Sequence, residues 1–166
     1  MDRSSAPPIT GGVITSRSAA ETRAVGRSLG RAAKPGTLLA LSGPLGAGKT
    51  QMAKGVAEGL GVRSVVNSPT FILMNEHEGR LRLFHVDAYR LDEPEEALAA
   101  GLLDERQAAG VTVIEWADRL DGWLPDDRLE ITIALDTADA RSRTLRWDAR
   151  GEAATELAAT ALGRPA

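Results

Sequence analysis

Residues 38–50, "LLALSGPLGAGKT", join a short apolar run to a glycine-rich turn. The continuous apolar run over residues 38–42 predicts a β-strand that is covered on both faces. The eight residues that follow it fit the pattern G-x-x-x-x-G-K-[ST] without a gap. Beyond them, apolar residues recur at helical spacing and predict an amphipathic helix: Ala53, Val56, Ala57 and Leu60. Strand, glycine loop and helix in this order form a cradle for phosphate, because loop amides and the positive end of a helix attract anions.

The predicted phosphate loop comprises eight residues: Gly43, Pro44, Leu45, Gly46, Ala47, Gly48, Lys49 and Thr50. We expect Lys49 to reach the outer phosphates of a nucleotide and Thr50 to place its hydroxyl on Mg²⁺. The alternative is a surface turn that carries this sequence by chance. The apolar strand before the loop and the amphipathic helix after it favour nucleotide binding over that alternative.

Two carboxylates close apolar segments later in the chain. Asp87 ends "LRLFHVD", and Glu115 follows "VTVI". Enzymes with this loop hold Mg²⁺ through the loop serine or threonine and an acidic residue at the end of a neighbouring strand. Because ligands of open α/β sheets bind at the carboxyl ends of the strands, Asp87 and Glu115 are both candidates for that role. Either one taken alone could instead be a helix cap or a solvated loop residue.

Other residues beside these motifs keep two interpretations. His85 is a candidate base, but its position in a half-buried strand favours a packed, hydrogen-bonded histidine. Trp116 is either a core residue or a stacking surface for a nucleotide or a partner. In "NSPTF", Pro69 holds Ser68 extended. Ser68 and Thr70 then lie on a short fixed loop, which is either a γ-phosphate-sensing switch or an ordinary turn.

The pattern as a whole predicts one α/β domain, a P-loop NTPase-like mixed sheet flanked by helices and carrying antiparallel hairpins. Besides the helix after the loop, three helices are expected: residues 18–33, 94–105 and 152–162. Two antiparallel hairpins are expected: one around residues 78–79 and one over residues 128–148. The predicted boundaries are a flexible N-terminal tail over 1–12, the domain over 13–162 and a C-terminal tail over 163–166.

The composition excludes several classes of protein. The 166 residues contain no cysteine, which excludes thiol nucleophiles, disulfides and sulfur-ligated zinc. A net charge of −3 argues against a free-standing nucleic-acid-binding protein. No apolar stretch approaches the roughly 18 residues that cross a bilayer, and the polar N-terminus lacks the apolar core of a signal peptide. We therefore expect no membrane association and a cytoplasmic location.

Four short motifs occur in a particular order within this one chain: "GPLGAGKT", "NSPTF", "HVDAYR" and "VIEW". Together they resemble the TsaE (YjeE) family of bacterial ATPases, from the helix with Ser18 and Thr22 to about Trp147. The resemblance implies an ATPase with ATP and Mg²⁺ as cofactors. It also implies two partner proteins, TsaB and TsaD, and a role in making N6-threonylcarbamoyladenosine directly 3′ of the anticodon in tRNA.

In that family the ATPase does not transfer the threonylcarbamoyl group, and its nucleotide state gates or resets the partner complex. The resemblance therefore implies that tRNA meets this chain only indirectly or through the complex. It assigns the phosphates to Lys49 and the loop amides, and Mg²⁺ to Thr50 and Glu115. Asp87 is then needed for ATP hydrolysis.

The resemblance also implies contacts to the rest of the nucleotide. Trp116 is expected near the nucleotide site, and Thr22 in the first helix is expected to contact the nucleotide. An arginine of "ARSR" supplies a further contact, with Arg141 preferred and Arg143 as the competing residue. Hydrolysis is expected to be weak without the partner proteins, because the sequence offers no arginine-rich lid over the phosphates.

Two other functions remain compatible with the loop. A small-molecule kinase uses the same phosphate loop, but it needs an acceptor pocket and a closing lid, for which residues 94–105 are short and acidic. A non-catalytic nucleotide-binding scaffold needs Lys49 and neither carboxylate. The absence of an N-K-x-D tetrapeptide disfavours GTP without establishing ATP.

Overall fold

The computed structural model describes residues 10–69, 73–99, 101 and 104–163. Within this part of the chain there are seven strands: β1 Thr10–Ser16, β2 Leu38–Ser42, β3 Met74–His77, β4 Leu83–Asp87, β5 Val111–Glu115, β6 Arg128–Leu135 and β7 Arg143–Arg150. The same residues form four α-helices: α1 Ala19–Ala32, α2 Lys49–Gly59, α3 Glu95–Ala99 and α4 Glu152–Ala161. Two 3₁₀ helices flank β5: Glu105–Ala109 and Ala117–Leu120.

The described strands form one mixed sheet in the order β1-β7-β6-β2-β5-β4-β3. Strand β2 lies at its centre and pairs parallel to both β5 and β6. Strand β4 pairs parallel to β5, whereas β3–β4, β6–β7 and β1–β7 are antiparallel pairs. The predicted mixed sheet and both predicted hairpins are confirmed. Because β2, β4 and β5 run in the same direction, their carboxyl ends meet at one edge of the sheet.

The edge strand β1 occupies part of the predicted N-terminal tail. Residues 10–12 of that tail pair with β7, so the ordered chain begins before residue 13. The two glycines of "TGGVITS" fit this position, since a Cβ on Gly12 would lie 2.8 Å from the ring of Trp147. Residues 1–9 and 164–166 of the predicted tails lie outside the described residues.

The helices predicted around residues 18–33 and 152–162 are confirmed as α1 and α4. At the start of α1, the Ser18 hydroxyl accepts a hydrogen bond of 3.1 Å from the Glu21 amide. The Glu21 carboxylate accepts one of 2.6 Å from the amide of Arg17, the residue before the N-cap, so both groups stabilise the start of α1.

The helix predicted over residues 94–105 is wrong in its length. Helix α3 ends at Ala99, and Gly101 lies in a turn with a φ of +72°. Asp104 is extended and caps the 3₁₀ helix that follows. A left-handed glycine ends a helix because the hydrogen-bond ladder cannot continue through it.

Helices α1 and α2 pack backbone against backbone through two pairs of glycines: Gly26 with Gly55, and Gly30 with Gly59. A Cβ added to Gly55 would lie 2.0 Å from the carbonyl oxygen of Arg23. One added to Gly26 would lie 2.3 Å from the carbonyl oxygen of Met52. This close contact sets the N-terminus of α1 beside the N-terminus of α2, where the phosphate loop ends.

The core lies on both faces of the sheet. The larger cluster packs β2, β5, β6 and β7 against α1, α2 and α4, with Leu29, Leu41 and Val56 fully buried. The smaller cluster covers the other face and includes Val86 and Ile114. No helix in the described part of the chain has both the length and the apolar character needed to cross a bilayer.

Candidate functional site

The phosphate loop connects the carboxyl end of β2 to the first residue of α2. Gly43, Gly46 and Gly48 have φ values of +149°, +79° and +112°, a region that side chains with a Cβ rarely adopt. At Gly43 space is limiting as well, since a Cβ would lie 2.5 Å from the carbonyl oxygen of Ile133 in β6. The backbone path therefore requires the glycines that the sequence pattern identified.

Lys49 is buried under this loop and binds its carbonyls. Its Nζ donates to the carbonyl oxygens of Gly43 at 2.6 Å and Pro44 at 3.0 Å. The same ammonium group lies 3.9 Å from the ring centroid of Trp116, within the range of a cation–π interaction. Burial lowers the pKa of Lys49, while the carboxylates around it, that of Glu115 first, act in the opposite direction.

Thr50 and Glu115 are joined directly. Thr50 Oγ1 donates to Glu115 Oε1 at 2.8 Å, and the second carboxylate oxygen lies 2.5 Å from Nε2 of His85. Glu115 and His85 are almost fully buried in adjacent parallel strands. His85 is thus a packed, hydrogen-bonded histidine, as its strand position predicts. Both oxygens of Glu115 are held by neighbours, which fixes the direction in which the carboxylate faces Thr50.

Asp87 is the register partner of Glu115, so the two strands bring both carboxylates to the same edge of the sheet. Asp87 Oδ2 accepts from Ser68 Oγ at 2.6 Å, and Oδ1 accepts from the backbone amide of Tyr89 at 2.9 Å. Ser68 thereby ties the segment before β3 to the end of β4. Thr70, the other hydroxyl expected on that segment, lies outside the described residues.

A stack of aromatic and cationic groups leads from Lys49 to the protein surface. The ring centroid of Trp116 is 4.8 Å from that of Tyr89, and the guanidinium carbon of Arg119 is 5.4 Å from the Tyr89 centroid. Trp116 has a φ of +59° and a ψ of +40°, a left-handed conformation that is uncommon for a bulky residue. Trp116 lines the cleft and also packs, partly buried, against the smaller core cluster.

The three residues expected to complete the nucleotide contacts lie in different places. Thr22 is buried in α1, and its methyl group would lie 3.7 Å from a Cβ on Gly48. Arg143 lies against the loop, with hydrogen bonds to the carbonyl oxygens of Gly46 and Ala47. Arg141 is exposed on the β6–β7 turn, where its backbone amide donates to the Asp139 carboxylate at 2.9 Å.

These elements surround a cleft of about 420 Å³ beside the phosphate loop. The residues that line it come from the loop, α2 and the ends of β4 and β5: Leu45, Gly46, Gly48, Lys49, Thr50, Gln51, Ser68, Asp87, Tyr89, Glu115 and Trp116. The cleft therefore contains every candidate catalytic residue and most of the candidate binding residues.

The oxygen atoms of this cleft are of the kind that Mg²⁺ prefers. Thr50 offers a hydroxyl beside the Glu115 carboxylate, and Asp87 adds a second carboxylate on the next strand. Among the described residues no three His, Asp or Glu side chains converge closely enough to hold an ion by themselves. The donor set fits an ion that takes one or two protein oxygens and completes its shell with phosphate and water, as Mg²⁺ does.

Comparison with known proteins shows the family. The family model for "Threonylcarbamoyl adenosine biosynthesis protein TsaE" matches residues 16–145. The chain belongs to the TsaE family. The TsaE protein of Bacillus subtilis is 44% identical over 125 residues, which are 75% of this chain and 78% of that protein. The TsaE protein of Treponema pallidum is 41% identical over 120 residues, 72% of this chain and 89% of that protein.

A solved structure has a similar fold. The crystal structure of Bacillus subtilis YdiB superimposes with a TM-score of 0.74 at 33% sequence identity, covering 91% of this chain and 93% of that one. The TsaE match begins at Ser16 and ends at Leu145, so all the candidate residues from Thr22 to Arg143 lie inside it. Most of β1 and the second half of β7 lie beyond it.

Sequence patterns alone miss several contacts within this cleft. The register of β4 and β5 was needed to pair His85 with Glu115, because the two are 30 residues apart. The contact of Arg143 with the loop spans 96 residues and has no local signal. The stacking of Tyr89 on Trp116 could have been proposed from the order of the strand ends, since both residues follow adjacent parallel strands.

Proposed function

We propose that this chain is a Mg²⁺-dependent ATP-binding protein with slow ATPase activity that acts in the cytoplasm in the biosynthesis of threonylcarbamoyladenosine in tRNA. The names of the family model and of the relatives from B. subtilis and T. pallidum support the biosynthetic role. The phosphate loop and the cleft beside it support the nucleotide.

The observation that carries the proposal is the 2.8 Å hydrogen bond between Thr50 and Glu115 at the N-terminus of α2. A hydroxyl in the first turn of the loop helix, next to a carboxylate from a neighbouring strand, is the pair that holds Mg²⁺ in P-loop enzymes. Thr50 and Glu115 would hold the ion in this chain. When bound, the ion would offset the negative charge on the phosphate oxygens.

The remaining loop groups would bind the phosphates. Lys49 would exchange the carbonyl oxygens of Gly43 and Pro44 for the outer phosphates, which attract its ammonium group more strongly than neutral carbonyls do. The amides of the loop and the positive end of α2 would bind the phosphates closer to the base. Trp116 would flank the nucleotide where it now contacts Lys49.

Asp87 would serve hydrolysis by orienting the attacking water and accepting its proton. Its hydrogen bonds with Ser68 and the Tyr89 amide hold the carboxylate at the cleft. Among the described residues that line the cleft, Lys49 is the one cation. We therefore propose that hydrolysis stays slow until a partner supplies further positive charge, a contribution of about 10³ to 10⁵ where an arginine finger does so.

The partners proposed for this step are TsaB and TsaD, and the nucleotide state of this chain would gate or reset their complex. The exposed end of the cleft supports such an arrangement. Leu45 and Tyr89 are exposed there, at 79% and 42%, and a docking protein would cover both.

Calorimetric titration tests the nucleotide and the metal. MgATP and MgADP should bind the unaltered protein, GTP should bind more weakly, and EDTA should weaken binding. Lys49→Ala should abolish binding, whereas Asp87→Asn should retain binding and lose hydrolysis in a single-turnover assay. Arg146→Ala, an exposed change on β7, is the control. Absence of any nucleotide binding by the folded unaltered protein would refute the proposal.

A second experiment separates the biosynthetic role from its rivals. Immobilised protein should retain TsaB and TsaD in the presence of ATP and release them when ATP is replaced by ADP or omitted. A metabolite that raises ATP consumption without either partner would instead favour a small-molecule kinase. If Asp87→Asn supported full threonylcarbamoylation in cells while Lys49→Ala did not, the chain would be a non-catalytic scaffold.

A further inference from the structure

Arg143, the first residue of β7, donates hydrogen bonds from its guanidinium group to backbone carbonyl oxygens. Its Nε donates to Ala47 at 3.0 Å and its Nη2 to Gly46 at 3.3 Å, both in the phosphate loop. Its Nη1 donates to Ala140 at 2.7 Å and to Ser142 at 2.9 Å, both in the β6–β7 turn. One planar group thus ties two consecutive loop residues to a turn from the other half of the sheet.

The direction of these bonds determines where the loop amides point. A trans peptide is planar, and its C=O and N–H point in opposite directions. The Ala47 carbonyl shares its peptide with the Gly48 amide, so a carbonyl held on Arg143 directs the Gly48 N–H away from Arg143. Gly48 lines the cleft, and Arg143 does not. The amide therefore points to the side on which a phosphate would lie.

The second carbonyl fixes the preceding peptide plane, whose amide is bonded within the loop. The Gly46 carbonyl shares its peptide with the Ala47 amide, which donates to Pro44 at 3.1 Å on the far side. Both successive peptide planes thus have one end on the guanidinium. Rotating either plane would break a hydrogen bond from a charged donor.

The turn that carries Arg143 is itself fixed. The Asp139 carboxylate accepts from the Ser142 hydroxyl at 2.9 Å and from the Arg141 amide at 2.9 Å. The Ser142 amide donates to the Asp139 carbonyl at 3.1 Å. These bonds lower the pKa of Asp139, so the carboxylate stays ionised in the turn. Arg143 is therefore presented to the loop from a rigid support.

We propose that Arg143 is a positioning residue, which sets the Gly48 amide for phosphate from behind the loop without touching the nucleotide. This inference rests on the proposed nucleotide site. It also distinguishes two chemical roles for one arginine. A residue that contacts phosphate directly needs mainly its charge, whereas a clamp on two carbonyls needs the planar fork that lysine lacks.

The test compares Arg143→Ala, Arg143→Lys and the control Arg146→Ala, which removes the same charge from an exposed position of β7. ADP affinity is measured in EDTA, so that the metal ligands do not contribute. The amide signals of the loop are followed in ¹H–¹⁵N spectra of the nucleotide-free protein. Thermal unfolding shows whether each variant is folded.

Both Arg143 variants should weaken ADP binding by about tenfold or more, since apparent affinity falls with the population of the binding-competent loop. The Gly48 amide signal should shift in both variants, and Arg146→Ala should change neither property. Near-normal affinity of Arg143→Lys beside a weak Arg143→Ala would overturn the inference in favour of direct phosphate contact. Normal affinity of both folded variants would also overturn it.

The nucleotide site and the clamp can fail separately. If the unaltered protein binds no ADP, the proposed function fails. The Gly48 amide signal of the nucleotide-free protein still tests whether Arg143 positions the loop. A shift of that signal in Arg143→Ala and Arg143→Lys supports the clamp. An unchanged signal in both variants refutes it.

Discussion

Replacing Gly55 by alanine tests the contact that holds the phosphate loop beside α1. In an unencumbered helix this change stabilises a protein by about 0.5–1 kcal/mol, because alanine has the higher helix propensity. Here the added Cβ would lie 2.0 Å from the Arg23 carbonyl oxygen and 3.0 Å from the Arg27 nitrogen. These are backbone atoms, so no side-chain rotation relieves the overlap, and the two helices have to separate.

At this position we expect Gly55→Ala to destabilise the protein instead of stabilising it. Overpacking of a tight interface costs about 1–3 kcal/mol and occasionally more, which exceeds the gain in propensity. We expect a net loss of about 1–2 kcal/mol in the free energy of unfolding, or a fall of about 2–8 °C in Tm for a chain of this size. Separation of α1 from α2 should also move Thr22 away from Gly48 and weaken ADP binding.

Urea denaturation followed by circular dichroism measures the effect, with the m-value checked for a two-state transition. Thr160→Ala, at an exposed position of α4, is the control for propensity alone and should change stability by less than about 0.5 kcal/mol. A Gly55→Ala protein as stable as the unaltered one, or more stable, would refute the close packing of α1 on α2.

Four further predictions concern the cleft and its surroundings. Glu115→Gln should raise the Mg²⁺ concentration needed for nucleotide binding about 10- to 100-fold, measured by metal titration, and an unchanged requirement would exclude Glu115 as a ligand. His85→Leu should destabilise the fold by about 1–3 kcal/mol in urea, because it leaves one oxygen of the buried Glu115 carboxylate without its hydrogen-bond partner; a smaller loss is expected for His85→Gln. ADP should change the tryptophan fluorescence as Lys49 leaves the ring of Trp116, and Trp116→Phe should abolish the change. Burial first, and the interaction with His85 second, lower the pKa of His77 below 6.5 in the folded protein, so the unfolded chain takes up the proton first and stability should fall as the pH drops below about 6.5; His77→Gln should flatten this slope.

The sequence predicts those parts of the site whose conformation is determined by neighbouring residues in the chain. Gly43, Gly46 and Gly48 occur where the backbone takes positive φ values, and Lys49 and Thr50 follow at the first turn of the helix. Asp87 and Glu115 end apolar runs, and parallel strands place such ends together. A pattern of apolar residues and glycines was sufficient for each of these inferences.

Other parts depend on contacts between distant segments, which no local pattern encodes. Strand β1 begins in a stretch with two glycines, and glycine weakens the strand signal although Gly12 is needed under Trp147. The predicted length of helix α3 is too great. Its acidic start is a good helix signal, whereas its end depends on the left-handed conformation of Gly101. Arg143 contacts the phosphate loop and Arg141 is exposed, and this difference depends on the geometry of the β6–β7 turn, which is distant from the loop in sequence.

Several polar side chains of the cleft have hydrogen-bond partners within the protein. Lys49 binds Gly43 and Pro44, Thr50 binds Glu115, and Asp87 accepts from Ser68. A nucleotide that binds as proposed has to replace the bonds of Lys49, so only the difference between phosphate and carbonyl as acceptors contributes to affinity. In the proposed function, the bonds of Lys49 to Gly43 and Pro44 would be available again once the nucleotide left.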